Sequence, residues 1–337
     1  MPRLLPPAIF TQALVKHYGD VKAVDSVDLK VERGELYGFL GPNGAGKTTT
    51  ISILATLLKP TSGRAEVAGI DVVRKPGEVR RKIGIVFQDP SLDEELTARE
   101  NMVFHARLYK VPKANRDRRI DELLSMVELS DRAKDRVKEF SGGMRRRLEL
   151  ARGLLHEPEV LFLDEPTLGL DPQTRTHLWD YIRRLNRERG VTMMLTTHYM
   201  DEADMLCHRI GIIDRGKIVV EGTPSELKSA IGGDVIYVSV SGANGADFQS
   251  VARAVPEVRR VSAAPEGLQI EVTSGEHAIP KILDALRAGG GTVASISLKK
   301  PSLNDVFIKH TGHGIRDEDM DSQGRMRYFM RGRRHHR

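Results

Sequence analysis

GPNGAGKTT, residues 41–49, is a glycine-rich turn set between an apolar run, ELYGFL (35–40), and a helical pattern, Thr48–Leu58. Glycines at 41, 44 and 46 let the backbone curl until successive N–H groups point inward. Such a concavity suits a phosphate, and the helix start behind it adds partial positive charge. The spacing is G-x-x-x-x-G-K-[ST], in the strand–turn–helix context that this pattern needs. Lys47 is placed to reach the β- and γ-phosphates of a nucleotide, and the Thr48 hydroxyl to ligate Mg²⁺. Gly41, Pro42, Asn43, Gly44, Ala45, Gly46, Lys47, Thr48 and Thr49 together form the candidate cradle.

Outward from this turn, further apolar runs occur at KIGIVF (82–87), VLFL (160–163), VTMMLTT (191–197) and RIGII (209–213). Continuous apolar strands bounded by glycine and charge predict a parallel sheet buried on both faces. Helical patterns alternate with them, including His177–Glu188 after an Asp-Pro start, so the body reads as an α/β fold. VLFLDEP (160–166) ends in two carboxylates. Asp164 at the strand end is the candidate Mg²⁺ ligand, and Glu165 the candidate general base that polarises the attacking water. Together the two motifs predict a P-loop NTPase.

Residues 93–155 are charge-rich and helical throughout, with apolar positions at Ile120, Leu123, Leu124 and Val127, and read as a helical insertion. DRGK (214–217) reads as a hairpin turn. Gly232-Gly233 is the expected boundary of the body, giving an ATPase domain over 8–231. Beyond it VIYVSV and LQIEVT (268–273) alternate, two helical patterns lie around Val251 and Ile282, and VASISL (293–298) closes the set. The order β-α-β-β-α-β predicts a small α+β domain of ferredoxin-like type over 232–312. Ser302 with Asp305 reads as a capping box opening a last helix. Residues 313–337 lack apolar periodicity and are expected to be disordered.

The segment that separates one P-loop class from another is FSGGMRRRLELARGLL (140–155), where Ser-Gly-Gly opens a helix shortly before VLFLDEP. With it, the sequence resembles the ATP-binding-cassette (ABC) ATPase family from about residue 8 to 312. GPNGAGKTT resembles the family's Walker A motif, VLFLDEP its Walker B and FSGGM its signature. FSGGM departs from the commoner LSGGQ at both ends. Phe140 is a conservative change, whereas Met144 lacks the amide and is assigned no ligand role. The resemblance implies that Ser141, Gly142 and Gly143 contact nucleotide phosphate. It makes Gln88 the Q-loop residue, touching Mg²⁺ or the lytic water, and Asp171 of Gly169-Leu170-Asp171 the D-loop acid. His198 corresponds to the switch histidine at the γ-phosphate, and Tyr18 to the aromatic that stacks on adenine. PSLNDVFIKHTGH (301–313) resembles the ending of the daunorubicin/doxorubicin-resistance type of drug-export ATPase.

The resemblance implies ATP and Mg²⁺ as cofactors, a second copy forming an ATP-sandwich dimer, and a separate membrane permease. It implies a peripheral place on the cytoplasmic side of the cell membrane and efflux of a hydrophobic, drug-like substrate. The 337 residues are 40% hydrophobic, 29% charged and 5% aromatic, which suits a globular chain of two domains. No apolar run approaches the roughly 18 residues of a membrane span, and MPRLLPPAIF lacks a signal-peptide core. Cys207 is the single cysteine, so no internal disulfide forms and a reducing compartment is expected. It reads as a buried thiol, and Arg145–Arg147 as a solvated helix face. The net charge of +6 equals that of the six arginines between Arg325 and Arg337, so residues 1–324 sum to zero. The basic balance therefore points to an anionic membrane surface near the tail and not to a nucleic-acid partner.

Rival classes lack their marks. Chromosome-type ABC ATPases separate Walker A from the signature by a long coiled coil, and no sustained heptads occur here. Translation-factor members usually carry two cassettes, and an importer's accessory domain is typically barrel-like. A switch module without turnover often lacks the carboxylate that Glu165 supplies. A non-transport ATPase acting on nucleic acid or the ribosome, and an exporter of a non-drug cargo, remain the alternatives.

Overall fold

The computed structural model describes residues 6–89, 91–242, 247–264 and 267–312. The expected disorder of 313–337 concerns residues outside that set. The chain divides into two compact units, one running to Pro224 and the other beginning at Ser225.

The first unit opens with β1 (Ile9–Tyr18), β2 (Val21–Val31), β3 (Leu36–Leu40), α1 (Lys47–Leu54), β4 (Ser62–Val67) and β5 (Ile70–Asp71). It continues through α2 (Pro76–Lys82), β6 (Ile83–Val86), α3 (Ala98–Leu108), α4 (Lys113–Met126), α5 (Gly142–Gly153), β7 (Val160–Asp164) and α6 (Pro172–Arg189). It closes with β8 (Thr192–Thr197), α7 (Met200–Leu206), β9 (Arg209–Asp214) and β10 (Lys217–Gly222). The central sheet runs β10-β9-β3-β8-β7-β6. Its neighbours pair in parallel except β10, which returns antiparallel on β9 through the expected turn at 214–217. All five positions of β3 and of β7 are buried, as strands covered on both faces require. A second, antiparallel sheet runs β2-β1-β4-β5. The two sheets close on one core, in which Ile51, Ile53 and Leu54 of α1 join Phe39, Phe162 and Met194. Burial of such side chains is worth about 1.5–3 kcal/mol each, and it fixes α1 directly behind the phosphate-binding turn.

Several elements differ from the sequence expectation. α1 ends at Leu54, not Leu58, because Ala55 leaves helical geometry ahead of Pro60. α6 is longer than the periodic core at 177–188. Asp171 caps it, Pro172 fits its first turn, and Gly190 ends it with φ +62°. The insertion is not helical throughout. Between Met126 and Ser141 the chain runs through turns and a single 3₁₀ segment, Val137–Glu139.

The second unit holds α8 (Pro224–Ser229, spanning the junction), β11 (Asp234–Gly242), α9 (Phe248–Arg253), β12 (Val258–Ala264), β13 (Gly267–Val272), α10 (Gly275–Ala288), β14 (Gly291–Lys299) and α11 (Leu303–Thr311). Its sheet is antiparallel with the order β12-β13-β11-β14, the ferredoxin-like arrangement. Ile236, Ile270, Ala252 and Ile282 meet in a core of its own. The division falls ahead of Gly232-Gly233 for a physical reason. Leu227 of α8 is buried, and Lys309 of α11 donates to the Ala230 carbonyl, which holds 225–231 to this unit. Ser302 and Asp305 form the expected reciprocal cap of α11.

Candidate active site

Three strand ends converge on the turn at 41–49. β3 delivers the turn itself, β7 delivers Asp164 and Glu165, and β8 delivers Thr196, Thr197 and then His198. Gly41 N donates to the Thr197 carbonyl at 3.2 Å, which locks the turn against β8. Gly46 has φ +106°, and a Cβ there would stand 2.2 Å from the Ala23 carbonyl oxygen, so only glycine fits. Lys47 is buried and donates to the Gly41 carbonyl (2.6 Å) and the Pro42 carbonyl (3.0 Å) of its own loop.

From Lys47 a chain of contacts crosses to the other strands. Its Nζ lies 3.5 Å from Glu165 Oε1, and His198 Nδ1 lies 3.3 Å from that same oxygen. Beside it, Thr48 Oγ1 donates to Asp164 Oδ1 at 3.3 Å, and Thr196 Oγ1 donates to the same oxygen at 2.5 Å. Burial pushes the Asp164 carboxyl above its ordinary range, against the pull of the two threonine hydroxyls. Burial acts on Glu165 in the same direction. There the adjacent His198 ring and the Lys47 charge outweigh it and hold the carboxyl below its ordinary range. Two adjacent acids thus sit in unlike environments: one beside a hydroxyl pair, one beside a cation.

A hydroxyl and a carboxylate oxygen 3.3 Å apart form a hard oxygen pair at the mouth of the phosphate turn. Mg²⁺ is typically held by one or two such protein oxygens plus substrate phosphates and water. Thr48 and Asp164 fit that role. Among the described residues no cluster of three or more His, Cys, Asp or Glu offers an all-protein metal cage.

The remaining sequence candidates lie outside this bonded cluster. Gln88 is exposed just beyond the end of β6. Ser141 caps α5, accepting from Met144 N at 3.3 Å, and stays exposed with Gly142, while Gly143 is buried against Thr174. Asp171 caps α6 by accepting from Thr174 N. Tyr18 is 48% exposed, with Lys16 Nζ 5.2 Å from its ring centroid. Asn43, Gly44, Ala45 and Thr49 lie on the turn and the first residues of α1 as expected.

One expectation is overturned. Arg145–Arg147 is not a solvated face: Arg146 is 7% exposed and bonds the backbone at Asp164, Glu165 and Pro166. Its acceptors come from chain segments distant in sequence, so an arginine run alone could not show it. The one usable signal was Glu149, three residues on, which places an opposite charge on the same helix face. Thr196 was missed as well, since a threonine inside TMMLTT reads simply as a strand former. Glu202 of α7 lies fully buried, accepting from Thr167 Oγ1 (2.8 Å) and Trp179 Nε1 (3.1 Å). Cys207 is a buried free thiol, as expected.

The ABC transporter family model matches residues 24–168, and the model described as "ATP-binding protein DrrA1-3-like, C-terminal domain" matches residues 222–311. The Daunorubicin resistance ATP-binding protein DrrA3 of Streptomyces coeruleorubidus is 44% identical over 310 residues, covering 90% of this chain and 96% of its own. This chain belongs to the ABC transporter ATP-binding family. Another ABC relative is the Linearmycin resistance ATP-binding protein LnrL of Bacillus subtilis, 39% identical over 305 residues, 90% of this chain and 97% of its own. Among solved ABC cassettes, the dimeric post-hydrolysis state of MJ0796 bound to ADP and Pi aligns with TM-score 0.57 at 30% identity. That alignment covers 64% of this chain and 98% of the cassette. This ABC subunit is therefore an ATP hydrolase of a transport system, of a kind that works as a dimer with a separate membrane permease. No helix among its described residues is long and apolar enough to cross a membrane.

Proposed function

We propose that Lys47, Thr48, Asp164, Glu165 and His198 form one half of an ATP-hydrolysing site. In this reading the N–H groups of residues 41–49 cradle the phosphates, with Tyr18 against the base. Lys47 holds the β- and γ-phosphates. Thr48, Asp164 and Gln88 hold Mg²⁺, which would neutralise charge on the leaving phosphates. Glu165 orients a water and accepts its proton as the water oxygen bonds γ-phosphorus, releasing ADP and inorganic phosphate. His198 steadies the γ-phosphate and the base. Ser141, Gly142, Gly143 and Asp171 of a second copy supply the donors on the outer side of that phosphate. The observation that carries the reading is the Lys47–Glu165–His198 chain, with contacts of 3.5 and 3.3 Å, beside the Thr48–Asp164 pair. Two acids meant for different tasks are held apart by different partners.

Hydrolysis would drive efflux of a hydrophobic, drug-like substrate through the permease, at the cytoplasmic membrane face. The names of the daunorubicin and linearmycin resistance relatives support that cargo class. The arginines of residues 325–337 would add attraction to anionic lipid, about 1 kcal/mol each near the surface.

Glu165→Gln tests the chemistry. The amide keeps the shape and accepts no proton, so ATP binding should persist while phosphate release falls by about 10²-fold or more. ATP should then hold a stable dimer on a sizing column. Turnover near the wild-type rate would refute the assignment.

A further inference from the structure

Arg146 spends all five of its N–H protons inside the protein. Nε donates to the Pro166 carbonyl (2.6 Å). Nη1 donates to the Phe87 carbonyl (2.5 Å) and to Glu149 Oε2 (2.8 Å). Nη2 donates to the carbonyls of Asp164 and Glu165, both at 3.1 Å. Four of the five acceptors are thus backbone oxygens of two loops. One loop leaves β7 and carries the acid pair. The other leaves β6 at the residue before Gln88.

The first loop has a conformation that needs holding. Glu165 lies at φ +46°, a left-handed value that costs a non-glycine residue energy. The three carbonyls that meet Arg146 belong to Glu165 and its two chain neighbours, and one planar guanidinium collects all three. A lysine has three donors on a single nitrogen and cannot reproduce that fork. The second loop is gripped twice more from the same helix face. Glu149 Oε1 accepts from Ser91 N (2.9 Å), and Arg152 Nη1 donates to the Ser91 carbonyl (3.0 Å). Glu149 is buried and shares its carboxylate between Arg146 and this loop, so the charges are paired where they are desolvated.

We propose that Arg146 is the positioning residue through which α5 sets the backbone of Glu165 and of the Gln88 loop for hydrolysis. α5 is the helix that Ser141 opens, so a displacement of that helix start is carried by Arg146 to both loops at once. The inference rests on the reading of Glu165 as base given above.

The test compares Arg146→Ala, Arg146→Lys and Glu165→Gln in the purified full chain by kcat, ATP affinity and thermal unfolding. In Arg146→Ala, kcat should fall at least about tenfold while the ATP dissociation constant stays within about threefold. Millimolar guanidinium ion should restore part of that kcat, and Arg146→Lys should recover little of it. If Arg146→Ala does not fold, Arg146→Lys carries the test with the same expected loss at unchanged ATP affinity. Wild-type kcat in the folded variant overturns the proposal. So does a parallel loss of kcat, affinity and stability that guanidinium leaves untouched, since a mere brace behaves that way. Glu165→Gln separates the two readings. If it alone turns over normally, the base assignment fails. If it is dead while the Arg146 variants are normal, only the positioning role fails.

Discussion

Thr196 gives its hydroxyl proton to Asp164 Oδ1 and accepts the Glu165 amide on the same oxygen, at 3.1 Å. One buried side chain therefore ties both acids to β8. Thr196→Val keeps the volume and removes both bonds. Loss of a charge-assisted hydrogen bond at a buried group costs about 1.5–3 kcal/mol. The variant should unfold at a lower temperature and release phosphate about tenfold more slowly; wild-type values for both would show that Thr196 is only packing. Lys47 differs, because in the proposed site its charge would serve the nucleotide as well as Glu165. Lys47→Ala should abolish hydrolysis and weaken ATP binding by at least about tenfold, read by phosphate release and nucleotide titration. Retained turnover would remove Lys47 from the site.

At the scale of elements, α5 joins two roles. Ser141 caps it, and its buried face grips the loops that carry Gln88 and Glu165. Ser141→Ala separates these roles. Loss of a cap costs about 1 kcal/mol of stability. If Ser141 also meets phosphate, ATP hydrolysis should fall by at least about tenfold, far more than so small a stability change explains. Unchanged hydrolysis beside a lowered unfolding temperature would leave Ser141 a cap alone. α5 also shows what a sequence can and cannot carry. The parallel strands β3, β7 and β8 were legible because burial on both faces leaves a continuous apolar run. The phosphate turn was legible because its hydrogen-bonding groups are close neighbours in the chain. β12 was not singled out. It lies at a sheet edge, and a register shift between Val258 and Arg260 breaks its alternation while Arg259 and Arg260 stay exposed. The buried face of α5 was read wrongly for another reason. An arginine looks the same whether its protons go to water or to carbonyls 20 and 59 residues away.

At the scale of the whole molecule, each unit has its own core, and the candidate site lies in the first. Lys47 and Glu165 lie in one cluster, while Ser141 is exposed and, among the described residues, caps the start of its own helix. In the function proposed above, the γ-phosphate takes donors on its outer side from Ser141 of a second copy docked across the nucleotide. Under the proposed function ATP would then join two copies, and its hydrolysis would let them part and drive the permease. Two inactive variants put this to the test, Lys47→Ala and Ser141→Arg. Each homodimer has two broken sites. A heterodimer gathers both lesions into one site and leaves the other intact. Mixing the two proteins should return hydrolysis, to about a quarter of the wild-type rate if copies assort at random and sites act independently. Hydrolysis no greater than that of either variant alone, with heterodimers shown to form, would contradict a site shared between two copies.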